Sequence, residues 1–143
     1  MLFSVIIISG CFLRKPEDIV IYDKTFQLSP KKFLIKLDHP IARTHSSASV
    51  FLAIQEYWTA ESPWTGIKLQ NGENINVVVT LLTAEGNKYN SRIIGAAIGT
   101  KGKSLQAKFE PEIPKKEKII SVHLSASGNI TCTKVSWHNF DPL

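Results

Sequence analysis

"NINVVVTLLT" (residues 74–83) is the richest run of β-branched residues in the chain. Such side chains are stiff at χ1 and pack well on a pleated surface, whereas in a helix they crowd the preceding turn. Turn chemistry bounds the run, with Asn71-Gly72 before it and Glu85-Gly86-Asn87 after it. It therefore predicts a strand, and its apolar density predicts a central one.

Outward from this run, period-two alternation recurs. Phe33, Ile35 and Leu37 alternate with Lys32, Leu34 and Lys36 ahead of Asp38-His39-Pro40, which reads as the strand's stop. Val50 to Trp58 is apolar enough for one strand buried on much of both faces, and Gly66 to Gln70 leads into the Asn71-Gly72 turn. Tyr89 to Ile98 returns, and Leu105, Ala107 and Phe109 then alternate with Ser104, Gln106 and Lys108. In Lys118 to Ser127, Ile120, Val122, Leu124 and Ala126 share one face. The last strand has Ile130 and Cys132 in even phase but Val135 and Trp137 in odd phase, so a β-bulge is expected near Thr133-Lys134. "PIARTHSSAS" (residues 40–49) has no period and reads as a loop or short helix. Together these runs predict an all-β fold, an antiparallel β-sandwich of immunoglobulin-like or jelly-roll type. It has about eight or nine strands and one domain over residues 19–143, with a barrel as the second architecture.

The 143 residues carry 43% hydrophobic side chains, enough for a packed core, and a net charge of +5. The excess is divided between the halves, with eight basic and six acidic residues in 1–71 and nine and six in 72–143. Only three of the 17 basic residues are Arg. Base and phosphate recognition leans on Arg forks, so the charge reads as solvated surface and no nucleic-acid partner is expected.

Chemical motifs are weak. "AIGTKGKS" (residues 97–104) fits a relaxed phosphate-loop pattern, but "LQAKFEPEIP" follows with strand alternation where that loop needs a helix, so a glycine-rich hairpin is the better reading. His39, His45, His123 and His138 show no ligand spacing, and neither a metal nor a cofactor is expected. Asp38, His39, His45, Ser46 and Ser47 assemble a triad on paper only, without a Gly-x-Ser-x-Gly elbow, so the chain is not expected to be an enzyme. Asn129-Ile-Thr131 fits the N-glycosylation acceptor pattern. Aromatics offer more. Tyr57, Trp58 and Trp64 lie in "EYWTAESPWTG", and His138 and Phe140 in "SWHNFDP", where a rigid ring can anchor a protein interface or stack on a sugar. Trp58 and Trp137 also read as core residues of their strands, which leaves Tyr57 and Trp64 as the foremost binding residues.

The amino-terminal run "FSVIII" ahead of Cys11 reads either as a buried first strand, with a Cys11-Cys132 bridge conceivable, or as a segment apart from the domain. "ISGC" (residues 8–11) resembles the lipobox of bacterial lipoproteins, an apolar residue and two small residues before Cys at the end of a hydrophobic segment. The resemblance covers the first eleven residues alone. It implies a signal segment over 1–10, lipidation of Cys11, a tether over 11–18 and a membrane partner through the lipid, since two acyl chains suffice for stable anchoring. Phe12, in place of the Asp that retains such proteins at the inner membrane, implies the outer membrane and a periplasm-facing domain. Cys132 would then be a buried unpaired thiol.

The function this supports is a non-enzymatic envelope lipoprotein whose β-sandwich binds a protein partner, in envelope assembly or toxin immunity. The alternative is a carbohydrate-binding module whose loop aromatics take a glycan, and a small envelope hydrolase comes third.

Overall fold

The computed structural model of the chain describes residues 14–61, 66–99 and 102–142. These form twelve strands: β1 (Glu17–Tyr22), β2 (Phe26–Leu28), β3 (Phe33–Ile41), β4 (Ser47–Ile54), β5 (Trp58–Glu61), β6 (Gly66–Leu69), β7 (Asn74–Thr83), β8 (Lys88–Asn90), β9 (Ile93–Gly99), β10 (Gly102–Lys108), β11 (Ile119–Ala126) and β12 (Ile130–Phe140). Two six-stranded antiparallel sheets pack face to face as a β-sandwich. One has the order β1-β12-β4-β10-β9, with β2 also on β12, and the other the order β3-β11-β7-β6-β5, with β8 also on β7.

Ile75, Val77, Val79, Leu81 and Thr83 of β7 point inward, and the strand sits between β11 and β6, as its β-branched density predicts. From the other sheet Val50 and Leu52 of β4, Leu105 and Ala107 of β10, and Val135 and Trp137 of β12 enter the same core without exposure. Each such aliphatic side chain contributes about 1.5–3 kcal/mol when fully buried.

The bulge falls where the phase slip places it. Cys132 pairs with Ile54 and Lys134 with Ala53, so Thr133 has no opposite residue, and Ile130, Cys132, Val135, Trp137 and Asn139 all point inward. Cys132 is buried without a disulfide, and burial pushes its thiol up to about 11, which leaves it protonated and inert. Cys11 lies outside the described residues.

Several expected strands have other limits. Val50–Trp58 is two strands, because Gln55–Tyr57 carries the chain from β4 in one sheet to β5 in the other. Tyr89–Ile98 likewise divides at Ser91-Arg92 into β8 and β9, and these two divisions together with β1 and β2 ahead of Phe33 make twelve strands rather than eight or nine. Asp38-His39-Pro40 does not end β3. Ile41 pairs again with Ile119 after Lys36 has paired with Ser121, so the intervening residues bulge from an edge where Pro40 needs no ladder hydrogen bond. A register shift between Ile119 and Ser121 turns Ile120 outward, 40% exposed, and Ile119 takes its expected core place. Residues 40–49 hold no helix, since β4 already begins at Ser47. Glu17 and Asp18, within the expected tether, belong to β1.

Deletions test the bulge. Removing Thr133 restores simple alternation with every inward residue still inward, and is expected to leave a folded protein destabilised by no more than about 2 kcal/mol. Removing Ser136 turns Trp137 and Asn139 to the opposite face and is expected to abolish folding. Circular dichroism and tryptophan emission report both, and a ΔSer136 protein as stable as ΔThr133 contradicts the assignment.

Candidate functional site

The loop after β3 carries the side chains of the triad considered above, and their bonds show what each does. His45 is buried, with Nδ1 2.8 Å from the Thr44 hydroxyl and Nε2 2.8 Å from the Lys15 carbonyl. The carbonyl can only accept, so Nε2 holds the proton and Nδ1 accepts from Thr44. The Ser46 hydroxyl donates to Asp141 at 3.0 Å and the Ser47 hydroxyl to Glu112 at 2.6 Å. Asp38 and His39 are exposed in the β3 bulge. No serine of this loop meets a histidine base, the pairing that nucleophilic catalysis requires.

What the loop builds is a clamp on the two ends of the domain. Arg14 forks onto Asp141, with Nη2 at 2.9 Å and Nε at 3.0 Å, and its Nη1 donates to the Thr44 carbonyl at 2.6 Å. The Arg14 guanidinium and the Ser46 amide hold the Asp141 carboxyl well below its ordinary range. A second tie at the same end of the sandwich fixes the loop before β11. Glu117 is buried and accepts from the Tyr89 hydroxyl, from Asn87 Nδ2 at 2.7 Å and from the Thr83 hydroxyl at 3.0 Å. These bonds, Tyr89 foremost, lower the Glu117 carboxyl and push the Tyr89 phenol up to about 12.

At the opposite end Tyr57 and Trp58 divide the roles that the sequence assigned to both. Tyr57 is 69% exposed and lines a shallow depression of about 540 Å³ with Glu56, Leu69, Gln70 and Asn71. Trp58 is 3% exposed, a core side chain closed to any partner, which corrects its reading as a binding residue. The cause is local: the crossover between sheets sets successive residues on opposite sides of the surface. Lys103 of β10 donates to the Trp58 carbonyl, lies 4.0 Å from the Trp58 ring centroid and 5.7 Å from that of Tyr57, and so joins this corner to the β9–β10 hairpin. Trp64 lies outside the described residues.

His138 and Phe140 do not join this corner. They belong to the outer face of the β12 sheet, where Phe51, His138 and Phe140 stack with centroids 4.9 and 5.3 Å apart and His138 bonds Asp18 of β1. Phe51 escaped the sequence reading, although its phase opposite to Val50 and Leu52 marks it as outward-facing. The stack is half-buried by its own members, leaving Tyr57 as the exposed aromatic among the candidates that lie within the described residues.

One strand next to this corner departs from the rest. Sheet edges are ordinarily protected by charge, proline, bulges or brevity. β1 carries Glu17 and Asp18, β3 has Lys36, Asp38, Pro40 and its bulge, and β5 and β8 are short. Among the described residues β9, "IIGAAIG", ends its sheet with seven residues and none of these devices. Ala96 is exposed, and Ile98 is 83% exposed.

No protein-family model, curated protein or solved structure matches the chain.

Two predictions follow from these contacts. Tyr57→Ala is expected to change stability by less than about 0.5 kcal/mol, whereas Trp58→Ala is expected to cost about 3–5 kcal/mol, read from denaturant midpoints. Asp141 and Glu117 have carboxyls lowered from 3.8 and 4.5, so their stabilisation is full above about pH 4.5 and is lost as the pH falls through the depressed values. Thermal melts should drop progressively below that pH, and Asp141→Asn with Glu117→Gln should be less stable at neutral pH with a flatter acid limb.

Proposed function

We propose that this chain is a non-enzymatic binding domain of the bacterial envelope, tethered through lipid on Cys11, that captures a protein partner at the corner formed by β9 and Tyr57. The observation that carries the reading is the edge of β9, unprotected among the described residues, in a fold whose other edges are charged, bulged or short. An apolar open edge is a liability unless another chain pairs with it, and strand addition is a recurring mode of protein recognition. Tyr57, exposed beside it, supplies a rigid anchor of the kind that dominates interface energetics. Envelope assembly and toxin immunity both need a binder of this kind.

The clamp supports the tethering. Arg14 is fixed to Asp141, and Cys11 stands three residues before it, so a lipid there would hold the clamp end of the sandwich within about 11 Å of the membrane surface. Ile54 and Tyr57 lie at the other end of β4 from Ser47, and the binding corner would face away from the membrane.

A second reading has its own observation. The Tyr57 depression offers a ring with the Gln70 and Asn71 amides, a combination that also suits a glycan.

Mass spectrometry of the chain extracted from membranes is expected to show an amino terminus at Cys11 carrying acyl groups, and Cys11→Ser is expected to move the protein to the soluble fraction. An intact Met1 overturns the anchoring. Cross-linking in the native envelope is expected to yield a stoichiometric protein adduct that falls at least tenfold with Tyr57→Ala or Ala96→Lys. Glycan binding lost with Tyr57→Ala, without any protein adduct, would favour the second reading.

A further inference from the structure

The even charge division between the two halves conceals a local one. Residues 88–108 contain Lys88, Arg92, Lys101, Lys103 and Lys108 and no Asp or Glu, so the chain's entire excess of +5 falls in this stretch. The remaining twelve basic residues balance the twelve acidic ones. In the fold this stretch is the short β8 and the β9–β10 hairpin, and the uncharged β9 lies between its cations.

The placement is specific. At the start of β9 the Arg92 amide donates to the Lys108 carbonyl at 2.9 Å, and Lys108 pairs with Ile93. Near its end Lys103 pairs with Ile98. Lys88, Arg92, Lys103 and Lys108 make no ion pair among the described residues. Arg92 and the Ile98 row are six residues apart, about 20 Å along a strand.

Resting on the protein-binding reading, we infer that the β9 edge takes an extended partner segment of about seven alternating apolar residues flanked at both ends by Asp or Glu. Backbone pairing along the open edge supplies affinity and is indifferent to sequence. Side chains supply the choice. On the inner-facing side of β9 the exposed Ala96 and Ile98 offer apolar surface that a partner residue in the next strand would cover. On the outer side Gly95 and Ala97 are small, and nothing lies within 4 Å of where a Cβ on Gly95 would stand, so bulky partner side chains can lie across them. Arg92, adjoining β9 in the chain, and Lys108 and Lys103, one strand further in on β10 with the Lys103 ammonium held at the Trp58 carbonyl, then give both ends of the edge a positive field for the acidic flanks.

The same charges disfavour a second copy as the occupant. Antiparallel self-pairing centred on Ala96 sets Ile94 against Ile98 but brings Arg92 of each copy to the Lys103 end of the other, a like-charge juxtaposition repeated twice. An acidic-flanked strand gains from what a second copy loses.

The test uses the full chain and an eleven-residue peptide, Glu-Glu-Thr-Val-Thr-Val-Thr-Val-Thr-Glu-Glu, with hydrogen exchange read by mass spectrometry and affinity by fluorescence anisotropy of the labelled peptide. The peptide is expected to slow exchange across residues 93–99. Its affinity should fall at least tenfold when Lys replaces the four Glu, when Arg92→Glu and Lys108→Glu are combined, and between low and high salt. Ala96→Lys, at an exposed position, should abolish binding without lowering the melting temperature. Absence of binding, equal binding of the Lys-flanked peptide, or protection confined to the Tyr57 corner overturns the inference. So does β9 protection without peptide that appears together with a dimer in sedimentation, which would make a second copy the occupant. An envelope adduct lost with Tyr57→Ala but kept with Ala96→Lys would remove this inference and take β9 out of the site, leaving protein capture at Tyr57 alone, whereas absence of any envelope adduct removes protein binding altogether.

Discussion

One extra residue in β12 organises the sheet that contains the candidate site. Thr133 is unpaired against β4, and on the opposite side of β12 the bulge divides the strand between two partners. Ile130 to Cys132 take β2, and Val135 to Asn139 take β1. A strand twists and bends more sharply at a bulge, so two short strands can each lie on one half of a longer neighbour. The change of phase is also what allows Ile130 and Cys132 to share the core with Val135 and Trp137 in a single eleven-residue strand. β4, β10 and β9 are laid in succession on the far side of this strand, and β9 is the last strand in that order among the described residues.

The two ends of the sandwich are built from different chemistry. Around Arg14 and Asp141, polar groups are consumed by one another: Arg43 donates to the Ile113, His45 and Ser46 carbonyls, Asn139 links Thr44 to Glu17, and Glu112 accepts from Ser47 and the Ala48 amide. Such a network fixes geometry and leaves few donors or acceptors for a ligand. The Tyr57 end has an exposed ring, a cation over two aromatic faces, and a hairpin whose apolar strand stands clear of the core at Ile98. The ring and the apolar strand are interactions left unspent at this end, while the Lys103 ammonium is held by the Trp58 carbonyl.

The fold was largely legible because burial of one face leaves period-two alternation, a local signal that each strand carries by itself. β7, β10 and most of β11 follow their patterns, and the phase slip in β12 placed a bulge near Thr133-Lys134, where it is found. The site was less legible. Tyr57 and Trp58 are adjacent, equally aromatic and lie in the same apolar run, yet one is exposed and the other core. Phe51 was hidden by the apolar residues around it. The histidine and serines of the "THSSAS" loop looked like chemistry because composition does not reveal which partner a hydroxyl or an imidazole will find, and here those partners are Lys15, Asp141 and Glu112, each far away in sequence.

By itself, then, the sequence determined the class of architecture, the turns at Asn71-Gly72 and Glu85-Gly86-Asn87, the hairpin reading of the glycine-rich segment and the bulge near Thr133-Lys134, because each depends on residues within a few positions of one another. Tertiary structure alone decided where a continuous apolar run changes sheet, which of the described strands end up at an edge, and therefore that seven uncharged residues between cations form one. Sheet order is a set of pairings between residues tens of positions apart, and alternation within a strand carries no record of its neighbour.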